Sequence, residues 1–253
     1  MLRVALVQLD VLWNQPLRNL QRVAQLAVQI ERAGAQLLVL PEMFDTGFYM
    51  QPATGCEPDD GPIHQGLVKI AQQHHLWVLA GMAQRVSSAT AANVAAVYDA
   101  QGALHYRYVK NHPFPLVDEQ RYFPAGTTSP FTTIVSIPSA VTICFDLRFP
   151  ELYRPLAPSV QVIYVLANWP AARQHHWHAL LQARAIENQC FVVGVNRRGT
   201  DGAGVVYAGG SVVFDPLGGC IMQLDADCEW ALAELDCAQV AQVRSTFPFL
   251  PTN

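Results

Sequence analysis

The stretch "TICFDLRFPELYR", residues 142–154, changes character in its middle. Up to Phe145 it is an apolar run of the kind that builds a buried strand. Beyond it come Asp146, Arg148, Glu151 and Arg154. Cys144, at the join, has two readings. Free cysteine is a small hydrophobe and is commonly core. A thiol brought to a strand end among charges is also a candidate nucleophile. Pro150 suits a first helical turn. The stretch therefore predicts a strand, an elbow at Cys144 and a helix start beyond it. Backbone N–H groups just after Cys144 would then face whatever the thiol attacks.

Working outward, strand-like and helix-like segments alternate. "RVALVQL" (3–9), "QLLVL" (36–40), "LWVLAGM" (76–82), "VQVIYVLAN" (160–168), "CFVVGVN" (190–196) and "EWALAEL" (229–235) read as strands. Asn14 and Pro16 open a helix with Leu20, Val23, Ala24, Ala27 and Ile30 on one face, and Gly34 stops it. Ile63, Leu67, Ile70 and Ala71 mark a second helix, and residues 174–188 a third. Residues 92–110 read as a hairpin turning at Asp99–Gly102, and residues 211–224 as another turning at Asp215–Gly218. "TTIVSI" and "VTICF" read as strands on either side of Pro138. Alternating units combined with hairpins predict an α/β fold with mixed sheets. No linker, repeat or low-complexity segment divides the chain, so residues 1–253 are expected to form a single domain.

Composition narrows the function classes. The chain has 253 residues, 51% hydrophobic and 14% charged, with a formal net charge of −4. That offers no basic field to nucleic acid. No apolar run is long enough to span a membrane. "MLRVALVQL" reads as a strand rather than a signal peptide, so the expected location is cytoplasmic. The six cysteines show no CxxC pair, which argues for reduced thiols and against structural zinc.

Several strands end in polar residues: Glu42, Lys110, Cys144, Asn168 and Asn196. In α/β sheets the loops beyond the carboxyl ends of strands converge on one crevice. A base, a cation and a thiol at three such ends form a set suited to acyl transfer on a carbonyl or addition to a nitrile. Glu42 is the candidate to take the thiol proton. Lys110 is the candidate to stabilise the thiolate and the oxyanion that follows attack.

"LPEMFDTGF", "YVKNHPF", "ICFDLRFPELYR" and "ANWP" together resemble the nitrilase (carbon–nitrogen hydrolase) superfamily over nearly the whole chain. The resemblance implies an αββα sandwich of two mixed β-sheets flanked by helices. It also implies pairing into a homodimer through the sheet-adjacent helices, and a Glu–Lys–Cys triad with no metal or organic cofactor. Carried over by position, Glu42 is the general base, Lys110 the catalytic lysine and Cys144 the nucleophile that becomes a thioester. Glu119 of "VDEQRYFPAG" is a supporting glutamate, and the Phe145 N–H helps Lys110 hold the oxyanion. "PEMFDTGFYM", "ANWPAARQHHW" and "RAIENQCFVVGVNRRGTDG" look most like the omega-amidase branch, which hydrolyses the side-chain amide of small 2-oxo acids such as 2-oxoglutaramate. Phe145 stands where many relatives carry tyrosine, and Pro113 where leucine is commoner. Another superfamily activity, on a nitrile, a carbamoyl group or a different small amide, is the alternative.

Each residue also has a plainer reading. Alone, Glu42 is a loop carboxylate, Lys110 a solvated strand end and Cys144 packing. The joint match reverses those readings. Asn168, Trp169 and Arg148 are pocket candidates. Arg148 is alternatively part of an ion-pair network with Asp146 and Glu151 that holds the elbow. Arg173, Arg197 and Arg198 are further candidates for a substrate carboxylate. Arg184 and Glu187 are spaced to pair on one helix. His175, His176 and His178 read as an exposed helix start rather than metal ligands.

Overall fold

The structure is a computed structural model that describes residues 1–50, 56–58, 60–86 and 90–250. The first sheet contains β1 (Leu2–Val7), β2 (Leu37–Val39), β3 (Trp77–Arg85), β4 (Ala91–Tyr98), β5 (Leu104–Val109) and β14 (Trp230–Leu235). The second contains β6 (Phe131–Ile134), β7 (Ile137–Ile143), β8 (Val162–Ala167), β9 (Phe191–Asn196), β12 (Val212–Phe214) and β13 (Cys220–Gln223). Their orders are β14–β1–β2–β3–β4–β5 and β13–β12–β9–β8–β7–β6. In each sheet three central strands run parallel, β1–β2–β3 and β7–β8–β9, and antiparallel strands flank them. Both sheets are therefore mixed. A small hairpin, β10 (Arg198–Thr200) and β11 (Val206–Ala208), stands apart.

Strand alternation sorts the core into layers. Val4, Leu6, Val39 and Leu79 of the first sheet meet Val141, Ile143 and Val165 of the second in the sandwich interior. Their neighbours Ala5, Val7, Leu38 and Val78 face outward onto two helices, α1 (Pro16–Arg32) and α2 (Pro62–His74). Val23, Ile30, Ile63 and Leu67 complete that layer. Pro16 sits in the first turn of α1, where its missing N–H costs nothing, and Gly34 takes the positive φ that ends the segment. A one-turn α3 (Glu119–Tyr122) follows β5. The second sheet is covered by α4 (Gln174–Asn188), which buries Trp177, Leu181 and Ala185. These layers are helices, sheet, sheet, helix: the αββα sandwich. A last helix, α5 (Ala238–Thr246), buries only Val240 and Val243, too sparse a pattern for the sequence to announce.

Two expectations are corrected. Pro138 does not separate two strands but lies inside β7, paired with Thr133 of β6. The turn falls at Val135–Ser136, both at positive φ (50° and 62°), a conformation normally signalled by Asn or Gly. Directly after Cys144 the chain does not enter an α-helix. Three short 3-10 turns, Cys144–Arg148, Pro150–Leu152 and Arg154–Leu156, carry the chain instead. Pro150 and Pro155 each lack a backbone donor and clash with the preceding turn, so helical hydrogen bonding cannot propagate. Among the described residues no helix is long and apolar enough to cross a membrane.

Candidate active site

The carboxyl ends of β2, β5, β7 and β8 open on the same edge of the sandwich, and each contributes one group. Glu42 follows β2, Lys110 follows β5, Cys144 follows β7 and Asn168 follows β8. Lys110 Nζ donates to Glu42 Oε1 at 2.8 Å and to Glu119 Oε2 and Oε1 at 2.8 and 3.1 Å. All three side chains are buried. The backbone N–H of Asn168 donates to Glu42 Oε2 at 2.8 Å. Glu42 thus spends Oε1 on the lysine, while Oε2 is steadied by the strand end that lies next to the thiol. Cys144 Sγ lies 3.9 Å from the carbonyl oxygen of Asn168. The four groups named from separate parts of the sequence, Glu42, Lys110, Glu119 and Cys144, are together in space.

Cys144 has φ 48°, in the left-handed region that a residue with a Cβ rarely occupies. This turns the chain sharply out of β7 and lets the thiol leave the sheet. Asp146 secures the elbow. Its buried carboxylate accepts from the Ile143 N–H at 3.0 Å, the Tyr108 hydroxyl at 2.8 Å, and the His112 N–H and ring Nδ1, both at 2.9 Å. Tyr108 and His112 flank Lys110 in sequence, so Asp146 ties the cysteine-bearing strand to the lysine-bearing one. Among the described residues the alternative Asp146–Arg148–Glu151 network is not formed: the Asp146 oxygens accept from Ile143, Tyr108 and His112, and Arg148 bonds His176.

The electrostatics of the cluster follow from burial and proximity. Burial works against the Lys110 ammonium, but Glu119 and Glu42 outweigh it and hold the lysine above its ordinary pKa. Burial pushes Glu119 upward; Lys110 opposes this and Glu42 adds to it, leaving it raised. Burial also pushes the Cys144 thiol well above the ordinary thiol range, and the charge of Glu42 acts in the same direction. The resting thiol is therefore protonated. Lys110 favours the thiolate, but two carboxylates neutralise its field, so activation requires proton removal by an adjacent base.

Cys144 opens into a cavity of about 660 Å³. Phe145, Arg148, Asn168, Trp169 and Arg173 line it with a largely apolar remainder. The Arg148 guanidinium lies 5.0 Å from the Trp169 ring and donates to His176 Nδ1 at 3.1 Å. Arg173 lies 5.6 Å from the Phe114 ring. Among the described residues neither arginine has a carboxylate partner. Arg197 and Arg198 are engaged elsewhere. Arg197 reaches the Val11 carbonyl at 3.0 Å and stacks on Tyr207, and Arg198 reaches the Ala226 carbonyl. Arg184 pairs with Glu187 at 2.8 Å. The three histidines are otherwise engaged: His176 serves Arg148, His178 meets the Gly210 carbonyl, and His175 packs on His176.

Sequence reasoning missed Asn93. Its Nδ2 donates to Glu42 Oε1 and Glu119 Oε1, both at 2.8 Å, while its Oδ1 is buried without a partner. The signal was present. Asn93 is the one polar residue in "AANVAAVY", a strand buried at every position. A polar side chain there needs a polar partner in the interior.

Known proteins share the sequence pattern and the fold of this chain. The carbon–nitrogen hydrolase family profile matches residues 3–245. The 2-oxoglutaramate amidase of Bacillus subtilis (strain 168) is 32% identical over 247 residues, covering 97% of this chain and 95% of that one. Omega-amidase YafV of Escherichia coli (strain K12) is 36% identical over 249 residues, covering 98% and 94%. The crystal structure of XC1258 from Xanthomonas campestris, a CN-hydrolase superfamily protein with an arsenic adduct in its active site, has a TM-score of 0.93 at 30% identity, covering 98% of this chain and 96% of that one. Matched from its first strand to its last helix, the chain belongs to the carbon–nitrogen hydrolase family.

Proposed function

We propose that this protein is a cysteine-dependent amidase of the omega-amidase type. It hydrolyses the side-chain amide of a small 2-oxo acid, 2-oxoglutaramate or a close analogue, to the carboxylate and ammonia. The observation that carries the reading is the cavity itself. A buried thiol–carboxylate–ammonium cluster opens into it, and two guanidinium groups without carboxylate partners among the described residues line it. Unpaired guanidinium groups in a largely apolar wall favour a carboxylate-bearing ligand. Two relatives bear the names 2-oxoglutaramate amidase and omega-amidase, which support this reading.

In the proposed reaction Glu42 takes the thiol proton as Sγ attacks the amide carbon. The C–S bond forms, and the carbonyl π electrons move to oxygen. Lys110 and the Phe145 N–H receive that oxyanion. Phe145 lies in the first turn of a 3-10 segment, where backbone donors have no partner within the turn. Collapse breaks the C–N bond, and nitrogen leaves as ammonia with the proton held by Glu42. Water, deprotonated by Glu42, then attacks the thioester, and the proton returns to sulfur as the acid is released. Glu119 holds Lys110 through both steps. The proposal extends to a homodimer, as the family resemblance implies, for which sedimentation is the direct measurement.

The test is ammonia release. Cys144→Ala is expected to abolish it with 2-oxoglutaramate; near-normal turnover would remove the mechanism. Arg148→Gln and Arg173→Gln are each expected to raise KM for the anionic amide by roughly 10- to 100-fold, from loss of a charge-assisted hydrogen bond. A neutral amide of similar size is expected to show little change. Equal effects on both substrates would remove the carboxylate assignment.

A further inference from the structure

Asn168 plays two parts with different atoms. Its backbone N–H holds Glu42 and its backbone oxygen contacts the thiol. Its side chain does neither. Asn168 is 5% exposed, lines the cavity beside Cys144, and among the described residues both Oδ1 and Nδ2 are buried without a hydrogen-bond partner. A carboxamide left wholly unpaired is costly, because each buried unsatisfied group bears its desolvation penalty. Other asparagines near the site show the contrast. Asn196 spends its carboxamide on Trp169 and Gly209, and Asn93 spends its donors on two carboxylates. An unpaired donor and acceptor beside the nucleophile mark a place that a ligand completes.

We infer that the Asn168 side chain binds the scissile amide group and makes the site selective for primary amides over esters of the same acid. The inference rests on the amidase reading and adds the identity of the group that reads the leaving nitrogen. A primary amide nitrogen carries hydrogens, and one donates to Oδ1. Fixing that N–H orients the nitrogen lone pair that develops in the tetrahedral intermediate, and this is the pair that receives the proton from Glu42. An ester presents an oxygen acceptor at the same point. It carries no N–H and can at most accept from Nδ2, so Oδ1 stays unpaired. A site built to bind an N–H rejects the analogue lacking it because its own buried group is left unsatisfied.

The experiment compares kcat/KM for the primary amide and the methyl ester of one dicarboxylic acid, in wild type, Asn168→Ala and Asn168→Ser. Side-chain changes leave in place the backbone groups that hold Glu42 and meet the thiol. The expected result is a fall in the amide-to-ester ratio of roughly 10- to 100-fold in Asn168→Ala, with partial recovery in Asn168→Ser, whose hydroxyl is again an acceptor. An unchanged ratio, with both substrates slowed alike, would overturn the inference while the amidase reading stands. If Asn168→Ala fails to fold, the serine variant carries the test, and a ratio equal to wild type overturns the inference. If wild type turns over neither substrate nor 2-oxoglutaramate, the amidase reading fails and this inference fails with it.

Discussion

Replacing Asn93 by aspartate exchanges a double donor for an acceptor of the same shape. In the native cluster Nδ2 bonds two carboxylates at 2.8 Å each, and Lys110 and the Asn168 and Phe114 N–H groups supply their other bonds. Each hydrogen bond to a charged group is worth about 1.5–3 kcal/mol net. The substitution forfeits two of them and adds a third carboxylate. The least costly escape is to protonate the cluster. Holding a carboxyl protonated costs about 1.36 kcal/mol for each pH unit above its ordinary value of about 3.9. That is about 4 kcal/mol at pH 7 and about 2 kcal/mol at pH 5.5. The proton belongs to the three-carboxyl cluster rather than to one member. In sign, the folded variant binds a proton that the unfolded chain releases, so stability is lost as pH rises. Urea unfolding of wild type and Asn93→Asp between pH 5.5 and 8 is the assay. The expected gap is about 4 kcal/mol at pH 7, narrowing by about 1.4 kcal/mol per unit toward acid. Ammonia release is expected to fall at least 100-fold at pH 8 and partly recover toward pH 6. A gap independent of pH, or none, would refute the assignment of Asn93 as the donor bridging the carboxylates.

Three further outcomes are expected. Gly81→Ala places a methyl 2.5 Å from Glu42 Cα and 2.5 Å from the Pro41 carbonyl oxygen, both backbone atoms that cannot swing aside. A loss of about 1–3 kcal/mol in stability, with a larger proportional loss of kcat than of substrate affinity, is the expected signature in unfolding and steady-state assays. Asp45 is buried, and burial raises its carboxyl to about 7 despite bonds from the Thr46 and Ala83 N–H groups. Because the folded value lies above the unfolded one, this stability is fully present below about pH 4 and is lost as pH rises to 7, by about 4 kcal/mol. Asp45→Asn is expected to flatten that slope in pH-dependent unfolding. Asp146→Ala leaves the Ile143 and His112 N–H groups and the Tyr108 hydroxyl without their acceptor. A stability loss of about 3–5 kcal/mol and a fall in the rate of Cys144 alkylation by iodoacetamide are the expected readouts.

Much of the architecture is legible in the sequence, because the parallel central strands are buried on both faces and read as continuous apolar runs. "QLLVL", "VQVIYVLAN" and "CFVVGVN" announce three of them. Helices α1 and α4 are equally plain, with α4 spanning the expected residues 174–188. The turn at Val135–Ser136 and the 3-10 path after Cys144 are not plain. The turn lacks the usual Gly or Asn signal, and a proline that interrupts a helix also suits a helix start, so Pro150 and Pro155 read either way. The motifs around Glu42, Lys110, Glu119 and Cys144 mark the cluster as a set, by family resemblance rather than by local physics.

The sequence by itself determined the fold class, the order of the central strands and of the main helices, and the identity of the four clustered groups. It did so because strand periodicity and motif order are one-dimensional properties. Tertiary structure alone decided how those groups act. It buried the thiol beside Glu42, where burial and charge together push its pKa upward, placed Lys110 between two carboxylates, and chose Asn93 as their second shared donor. It aimed Arg148 and Arg173 into the cavity while turning Arg197 and Arg198 away, and it moved Asp146 from the expected arginine to Tyr108 and His112 on the opposite sheet. Charge and hydrogen bonding act over a few ångströms, and residues such as Glu42 and Asn168, 126 positions apart, come within that distance only when the two sheets close.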